Sequence, residues 1–470
     1  MVNFAKEEIE VVVIGAGPSG LAVSACLNKL SIKNVVLEKE DCCGYLWKKK
    51  TYDRLHLHLS KDVCSLPFMP HATSSPKYMS KNEFIQYLDE YVEKFNIKPK
   101  FQSCVESAFF NNEEKKWNVK SRNVASGEME LYVSDFLVLA TGENNEGYIP
   151  KVLGLEKFKG EIIHSSEYKS GEKYQGKNVL VVGSGNSGME ISFDLSNYGC
   201  HTSIVVRSPV HVLTREMVHI GMVMLKYLPM SLVDNVIVNY AKMKFGNLAK
   251  FGIPQPQEGP FYVKVSKGSS PVIDVGAIDK IKIGEIKVLP GISEIKEHTV
   301  VFANGEEHQF DAIVFATGYK NVATKWLKDY SSIFHDDGTL INKFPNHYKG
   351  ENGLYCAGFS KRGIAGISMD AIAIADNIKT FKVVGLWHFG WSSILLQVTE
   401  KVMANKDTEF VVTNQMGSLG NENVGANEEI QKLRQQMIEM HRAWANGLPS
   451  PPFPANNLEY LSSLPPVSYA

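Results

Sequence analysis

Two glycine fingerprints constrain this chain more than any other feature: GAGPSG over Gly15, Ala16, Gly17, Pro18, Ser19 and Gly20, and GSGNSG over Gly183, Ser184, Gly185, Asn186, Ser187 and Gly188. Each follows a short apolar, β-branched run, Val11–Ile14 and Val179–Val182, and each leads into residues that can open a helix. The three glycines of such a run do separate work. One turns the strand into the loop, one lets the backbone approach a pyrophosphate, and one lets the helix pack on the strand. The pyrophosphate then rests on the helix N-terminus, where free N–H groups and the dipole favour negative charge. One glycine-rich turn is weak evidence; two in strand–turn–helix context predict an α/β fold with two Rossmann-like dinucleotide-binding domains.

The residue that selects each nucleotide lies at the end of the next strand. After the first fingerprint, Val35–Leu37 runs into Glu38, 18 residues beyond Gly20. An acid there accepts hydrogen bonds from a ribose 2′-OH and repels a 2′-phosphate, so the first site suits FAD or NAD. After the second, Ser203–Val206 ends in Arg207 with no acid. A guanidinium fork suits a 2′-phosphate, which selects NADPH. The alternative is that both are solvated strand-end charges. A chain that binds FAD and NADPH is most simply a flavin reductase, passing hydride from nicotinamide to flavin. Where the electrons go next stays open at this point.

With 470 residues, a formal net charge of −1, 44% hydrophobic and 21% charged residues, the chain has room for two or three domains and no electrostatic bias toward nucleic acid. Its seven scattered cysteines read as reduced thiols of a cytoplasmic protein, and the absence of CxxC excludes a thioredoxin-reductase-type redox pair. No HExxH or His/Cys cluster points to a metal. Met1–Glu10 reads as neither signal nor transit peptide. The most apolar window, Val383–Val398, falls short of the roughly 18–20 residues that span a bilayer.

Ile9–Leu37 and Gly176–Val206 read as βαβ units, and Lys81–Phe95 as an amphipathic helix. Trp117–Val119 and Leu131–Ala140 read as strands, the second ending in Thr141-Gly142. Ile281–Leu289, Glu294–Ile295 and Thr299–Phe302 suggest a small β meander with Asn304-Gly305 as its hairpin turn. Phe310–Ala316 then ends in Thr317-Gly318, a second Thr-Gly where backbone can pass close to a nucleotide. The expected division is therefore a discontinuous FAD domain over 1–170 and 300–382, an NADPH domain inserted at 171–299, and a divergent tail over 383–470.

Between the fingerprints, Phe158, Gly160, His164 and Tyr168 spell FxGxxxHxxxY, and on this motif the chain resembles the flavin-containing monooxygenases and their Baeyer–Villiger relatives. Finer segments are similar to the plant YUCCA branch: Thr51–Lys61, Leu139–Pro150, Phe251–Pro260, Asp274–Val288, Phe310–Lys320 and Leu354–Ala371. The resemblance implies oxidative decarboxylation of indole-3-pyruvate to the auxin indole-3-acetic acid with NADPH and O₂. It also implies that a flavin peroxide carries the chemistry, so no catalytic side chain is named, and that the loop Cys42–Trp47 belongs to the flavin site, with Trp47 a contact. His164 reads as a linker holding the two domains. Another ketone, sulfide or amine is the alternative substrate, and a nucleotide-holding scaffold the alternative to an enzyme.

Two departures accompany the resemblance. General flavin monooxygenases of amines and sulfides carry an Asn at the position of His58, and Cys42–Trp47 has one glycine where many relatives have two. Arg54 and Lys61 are either contacts for a substrate carboxylate or ordinary surface charge. Beyond Lys382 the likeness stops. Ile430, Leu433, Met437, Met440 and Trp444 fall at helical spacing before a Pro/Ser-rich end expected to be disordered. Location in the cytoplasm, with the endoplasmic reticulum surface as an added option, follows from the same reading; oligomeric state does not.

Overall fold

The computed structural model describes residues 5–382. Its first sheet is built around Ala5–Ile14, which pairs in parallel with Asn34–Leu37 on one side and Met129–Leu139 on the other. Val11, Val12 and Val13 are fully buried, as expected of a parallel strand covered on both faces. On its other edge the long strand Met129–Leu139 serves two further partners. Its first half pairs antiparallel with Lys116–Asn123, itself paired with Ser103–Asn111, and its last residues pair in parallel with Leu354–Cys356. The helices Pro18–Lys29 and Lys81–Lys94 pack on this sheet through one core. The second helix starts at a capping box, Ser80 accepting the Glu83 N–H while the Glu83 carboxylate accepts the Ser80 N–H.

The second sheet is entirely parallel, in the order Ile286–Leu289, His201–Val205, Asn178–Val182, Ala312–Phe315, Glu161–His164. This pairing draws the division differently from the sequence expectation. Glu161–His164 and Ala312–Phe315, assigned above to the flavin half, extend this sheet on one side of the second nucleotide unit, Ala312–Phe315 pairing with Asn178–Val182 and Glu161–His164 forming the edge. An apolar strand carries no mark of which parallel sheet it will join. The chain crosses between the sheets twice, and the two crossings pair with each other, Glu146–Gly147 antiparallel to Tyr319–Lys320.

Two further differences concern local structure. Ile286–Leu289 belongs to the parallel sheet, and residues 281–282 close the helix Ala277–Lys282. The meander consists of Ile292–Ile295, Thr299–Phe302 and Glu307–Gln309. Helices at Arg215–Met224, Met230–Phe245 and Pro260–Lys267 were not anticipated. Ile220, Val223, Leu232, Val236, Tyr240 and Met243 are exposed apolar residues on them, so hydrophobic residues run around these helices and blur the 3.6-residue stripe. The described chain ends in a helix over residues 363–382. Among the described residues no helix is long and apolar enough to cross a membrane. The window Val383–Val398 and the expected tail helix lie outside the described residues. All seven cysteines are free.

Candidate functional site

The first fingerprint leaves its strand at Gly15, whose N–H donates to Leu37 at 2.8 Å and whose φ is +106°. A Cβ on Gly15 would lie 2.6 Å from the Ala140 carbonyl oxygen, and one on Gly20 only 1.8 Å from that of Gly15. Both positions are closed to any side chain by backbone. A Cβ on Gly17 would meet no atom within 4 Å. Gly17 is also the N-cap of Pro18–Lys29, and no side chain caps its first turn. The result is an open concavity facing free helix N–H groups, the shape and polarity of a pyrophosphate site. Thr141 beside it has a buried hydroxyl with no partner, and Gly142 faces open space. Glu38 is buried at the strand end, its carboxylate accepting the N–H of Ala16 at 2.6 Å and of Glu40 at 3.0 Å. Burial pushes its pKa up against those two donors. Gly44 donates to the Ala16 carbonyl at 2.9 Å, seating the Cys42–Trp47 loop on the fingerprint, while the Trp47 ring packs edge-on to Phe84 at 4.5 Å. Ser19 lies under the segment that closes the sheet: a Cβ on Gly358 would sit 2.1 Å from its Oγ.

The second fingerprint repeats this geometry. A Cβ on Gly183 would lie 2.5 Å from the Ala316 carbonyl oxygen, one on Gly188 would lie 1.9 Å from that of Gly183, and one on Gly185 would meet nothing within 4 Å. Gly185 is likewise an N-cap without a side-chain partner. Both concavities therefore fit a dinucleotide. Not every predicted side chain faces one. Asn186 accepts the Ile273 N–H at 2.7 Å and so braces a neighbouring strand, the Thr317 hydroxyl donates to the Tyr148 carbonyl, and Ser187 faces Tyr52. Ser184 is half-buried on the turn, and Gly318 has a left-handed φ of +83° at the start of a crossing. Arg207 is exposed, and among the described residues no carboxylate lies within 4.0 Å of it. Its guanidinium is available to an anion.

His164 sits where the two crossings meet. Its ring is buried, Nε2 lies 3.0 Å from the Gly318 carbonyl oxygen, and Nδ1 lies 3.2 Å from the Ser166 N–H. These partners assign a neutral imidazole with its proton on Nε2. Burial lowers its pKa. Tyr168, the last residue of the motif, donates to Asp194 at 2.7 Å on the second fingerprint helix. The motif is thus a joint between the crossings and the second sheet.

The segment after the first βαβ unit reaches that same helix. Tyr52 donates to the buried Glu190 at 2.5 Å, and His58 Nε2 lies 3.5 Å from the same carboxylate without forming a hydrogen bond. Burial pushes Glu190 up, but His58, Tyr52 and Arg54 outweigh it and hold the carboxyl below its ordinary value. Arg54 stacks on Phe193 at 4.4 Å and approaches Asp194 at 3.9 Å. Lys61 is used differently: its ammonium donates to the carbonyls of Ala72, Thr73 and Ser75 at 2.7–2.9 Å and ties down that loop. Two hollows open here, of about 140 and about 340 Å³. His58 and Tyr78 line the smaller, Arg54 and Glu190 the larger, and Arg215 lines both. Glu190, Tyr78 and Arg215 carry no motif and were missed in the sequence, and Tyr52, though inside the segment Thr51–Lys61, was not singled out.

A family model described as flavin-binding monooxygenase-like matches residues 8–430. The chain is 53% identical over 374 residues to the probable indole-3-pyruvate monooxygenase YUCCA10 of Arabidopsis thaliana, covering 79% of this chain and 98% of that relative. It is 46% identical to the indole-3-pyruvate monooxygenase YUCCA6 of the same plant, with 78% and 89% covered. With the indole-3-pyruvate monooxygenase YUCCA1 of Oryza sativa subsp. japonica it shares 44% identity, with 78% and 90% covered. Among solved structures it resembles a flavin-containing monooxygenase from Stenotrophomonas maltophilia, with a TM-score of 0.61, 19% identity, and 80% and 99% covered. It also resembles cyclohexanone monooxygenase from Rhodococcus sp. Phi1 bound to NADP⁺, with a TM-score of 0.62, 18% identity, and 80% and 85% covered. At those identities the structures speak for the fold alone.

Proposed function

This chain belongs to the flavin-binding monooxygenase-like family, and from that premise we propose that it converts indole-3-pyruvate to indole-3-acetic acid and CO₂ in auxin biosynthesis. It is an NADPH-dependent monooxygenase that uses FAD and O₂. The observation that carries the substrate is alignment along almost the whole length of a probable indole-3-pyruvate monooxygenase, in a chain with two matching dinucleotide concavities. In this reading the first concavity, with Glu38 and the Trp47 loop, holds FAD, and the second, with Arg207, holds NADPH. The nucleotide domains divide near the paired crossings, Glu146–Gly147 and Tyr319–Lys320.

Bound FAD supplies the hydride acceptance and oxygen activation. The protein's own part is placement. The Gly17 and Gly185 turns fix two pyrophosphates on helix N-termini, and the His164 joint fixes the distance between the sheets that carry them. Leu59, Val63, Met222 and Val223 give the smaller hollow an apolar wall, which excludes water from the reacting groups. The buried Tyr52–Glu190 contact ties the segment that carries Leu59 and Val63 to the helix of the second concavity. The same reading places the reaction in the cytoplasm, at or away from the endoplasmic reticulum surface.

The test is purification and product analysis. The protein should be yellow, and NADPH oxidation should rise on adding indole-3-pyruvate, with one CO₂ and one indole-3-acetic acid formed per substrate. A yellow protein that oxidises NADPH but forms neither product would refute the substrate. A colourless chain would refute the flavin assignment.

A further inference from the structure

We propose that Arg215 captures the carboxylate of the substrate, and so selects acids over neutral indoles. The inference rests on the reading of the reaction given above and adds to it a residue that no motif marks.

Arg215 opens the helix Arg215–Met224, whose start is fixed by Thr214 accepting the Met217 N–H at 3.2 Å. Its side chain stands where the two hollows meet. Of the neighbouring cations, Lys61 is taken up by three carbonyls, and Arg54, whose Nε is likewise buried without an acceptor, lies over the Phe193 ring with the Asp194 carboxylate 3.9 Å away. Arg215 has no carboxylate within 4.0 Å among the described residues, and its Nε is buried with no acceptor. A buried donor left unpaired is costly, so the site favours a ligand that brings the acceptor. The guanidinium lies over the Tyr78 ring at 5.1 Å. Stacking leaves the in-plane N–H edge free, and that edge matches a carboxylate with two parallel hydrogen bonds.

The rest of the smaller hollow fits the remainder of such a molecule. Tyr78, Leu59, Met222 and Val223 offer flat and apolar surface. An aromatic body with one carboxylate at its edge satisfies both halves of the site; the corresponding amide satisfies only the apolar half. Lys226 also lines the hollow, but a point charge on a flexible stem lacks the planar fork, so the acid preference is assigned to Arg215.

The experiment compares the FAD-loaded wild-type protein with Arg215→Gln and Lys226→Met. Calorimetric titration with indole-3-acetate and indole-3-acetamide needs no turnover. Wild type should bind the acid at least tenfold more tightly than the amide. Arg215→Gln should lose that preference by weakening the acid alone, and Lys226→Met should keep it. In turnover, Arg215→Gln should raise KM for indole-3-pyruvate at least tenfold, with flavin content and KM for NADPH unchanged. An acid preference that survives Arg215→Gln, or that disappears in Lys226→Met instead, would overturn the proposal. So would a rise in KM for NADPH, which would move Arg215 to the nucleotide. A wild type that makes no indole-3-acetic acid would refute the reaction, and the acid-to-amide ratio would still decide the role of Arg215.

Discussion

Tyr52 donates its hydroxyl proton to Glu190 at 2.5 Å, joining residues 138 apart in sequence. One stands just after the first βαβ unit and the other on the helix that opens with the second fingerprint. The segment that gives the smaller hollow its His58 and Leu59 is therefore keyed to the helix that opens with the second fingerprint, through a carboxylate that is itself buried. Arg54 adds positive charge on the same side, and His58 Nε2 lies 3.5 Å from the Glu190 carboxylate.

Removing the Tyr52 hydroxyl leaves that carboxylate one donor short. Tyr52→Phe should cost roughly 1–3 kcal/mol of stability, the usual penalty for a buried polar group that loses its partner. The pKa of Glu190 is lowered in the folded protein by His58, Tyr52 and Arg54 acting against burial. Its contribution is thus full above the ordinary carboxylate range and is lost as pH falls through and below it. Glu190→Gln should be less stable than wild type at neutral pH and should show a shallower acid limb in near-ultraviolet circular dichroism. Parallel acid limbs would mean that Glu190 is not held as a carboxylate.

The middle glycines separate the two cofactors. Since a Cβ at Gly17 or Gly185 meets nothing within 4 Å, Gly17→Ala and Gly185→Ala should fold normally. Gly17→Ala should purify without its yellow colour. Gly185→Ala should stay yellow while KM for NADPH rises. Gly20→Ala and Gly188→Ala, whose methyl groups would fall 1.8 and 1.9 Å from carbonyl oxygens, should fail to accumulate as folded protein. Reversed effects of the first pair on flavin content and KM would exchange the two assignments.

Arg207 is exposed and unpaired among the described residues, so its loss should leave stability unchanged. A charge-assisted hydrogen bond to a 2′-phosphate is worth roughly 1.5–3 kcal/mol, or about tenfold and more in affinity. Arg207→Ala should weaken NADPH by that factor and leave NADH nearly unchanged, measured by steady-state KM for each. Equal losses for both nucleotides would refute the 2′-phosphate role.

What the sequence disclosed was whatever depends on neighbours in sequence. Gly20 is required by the Gly15 carbonyl five residues away and Gly15 by its own φ of +106°, so their spacing is readable without the fold. The repeated Thr-Gly reads in sequence as backbone close to a nucleotide, whereas the closing contacts of Ala140 on Gly15 and Ala316 on Gly183 emerge only in the fold. The side of the joint on which Glu161–His164 and Ala312–Phe315 would pair was not readable, because any buried parallel strand has the same apolar composition. Lys61 and Arg54 looked alike in sequence, and only the fold shows one taken up by a loop and the other facing a hollow. Arg215, eight residues after Arg207, has nothing around it that announces a cavity.

His164 gives the joint between the sheets a pH dependence. Its Nε2 proton is donated to Gly318, and its Nδ1 lone pair accepts the Ser166 N–H at 3.2 Å. Protonation would set a second ring N–H against that amide. Burial lowers the pKa of His164 below its ordinary value of 6.5, with Gly318 and Glu167 opposing. A histidine whose folded pKa is lowered stabilises fully above about pH 6.5, and that contribution is lost as pH falls below it, since the unfolded chain takes up the proton first. Wild-type thermal stability should therefore drop between pH 7.5 and 5.5. His164→Gln, which can donate to Gly318 but does not titrate, should start lower at pH 7.5 and fall less. Gly147→Ala should destabilise at both values, because its Cβ would lie 2.4 Å from Nδ1 and push the ring off its partners. If His164→Gln keeps the wild-type slope, another group controls the transition and the joint does not titrate.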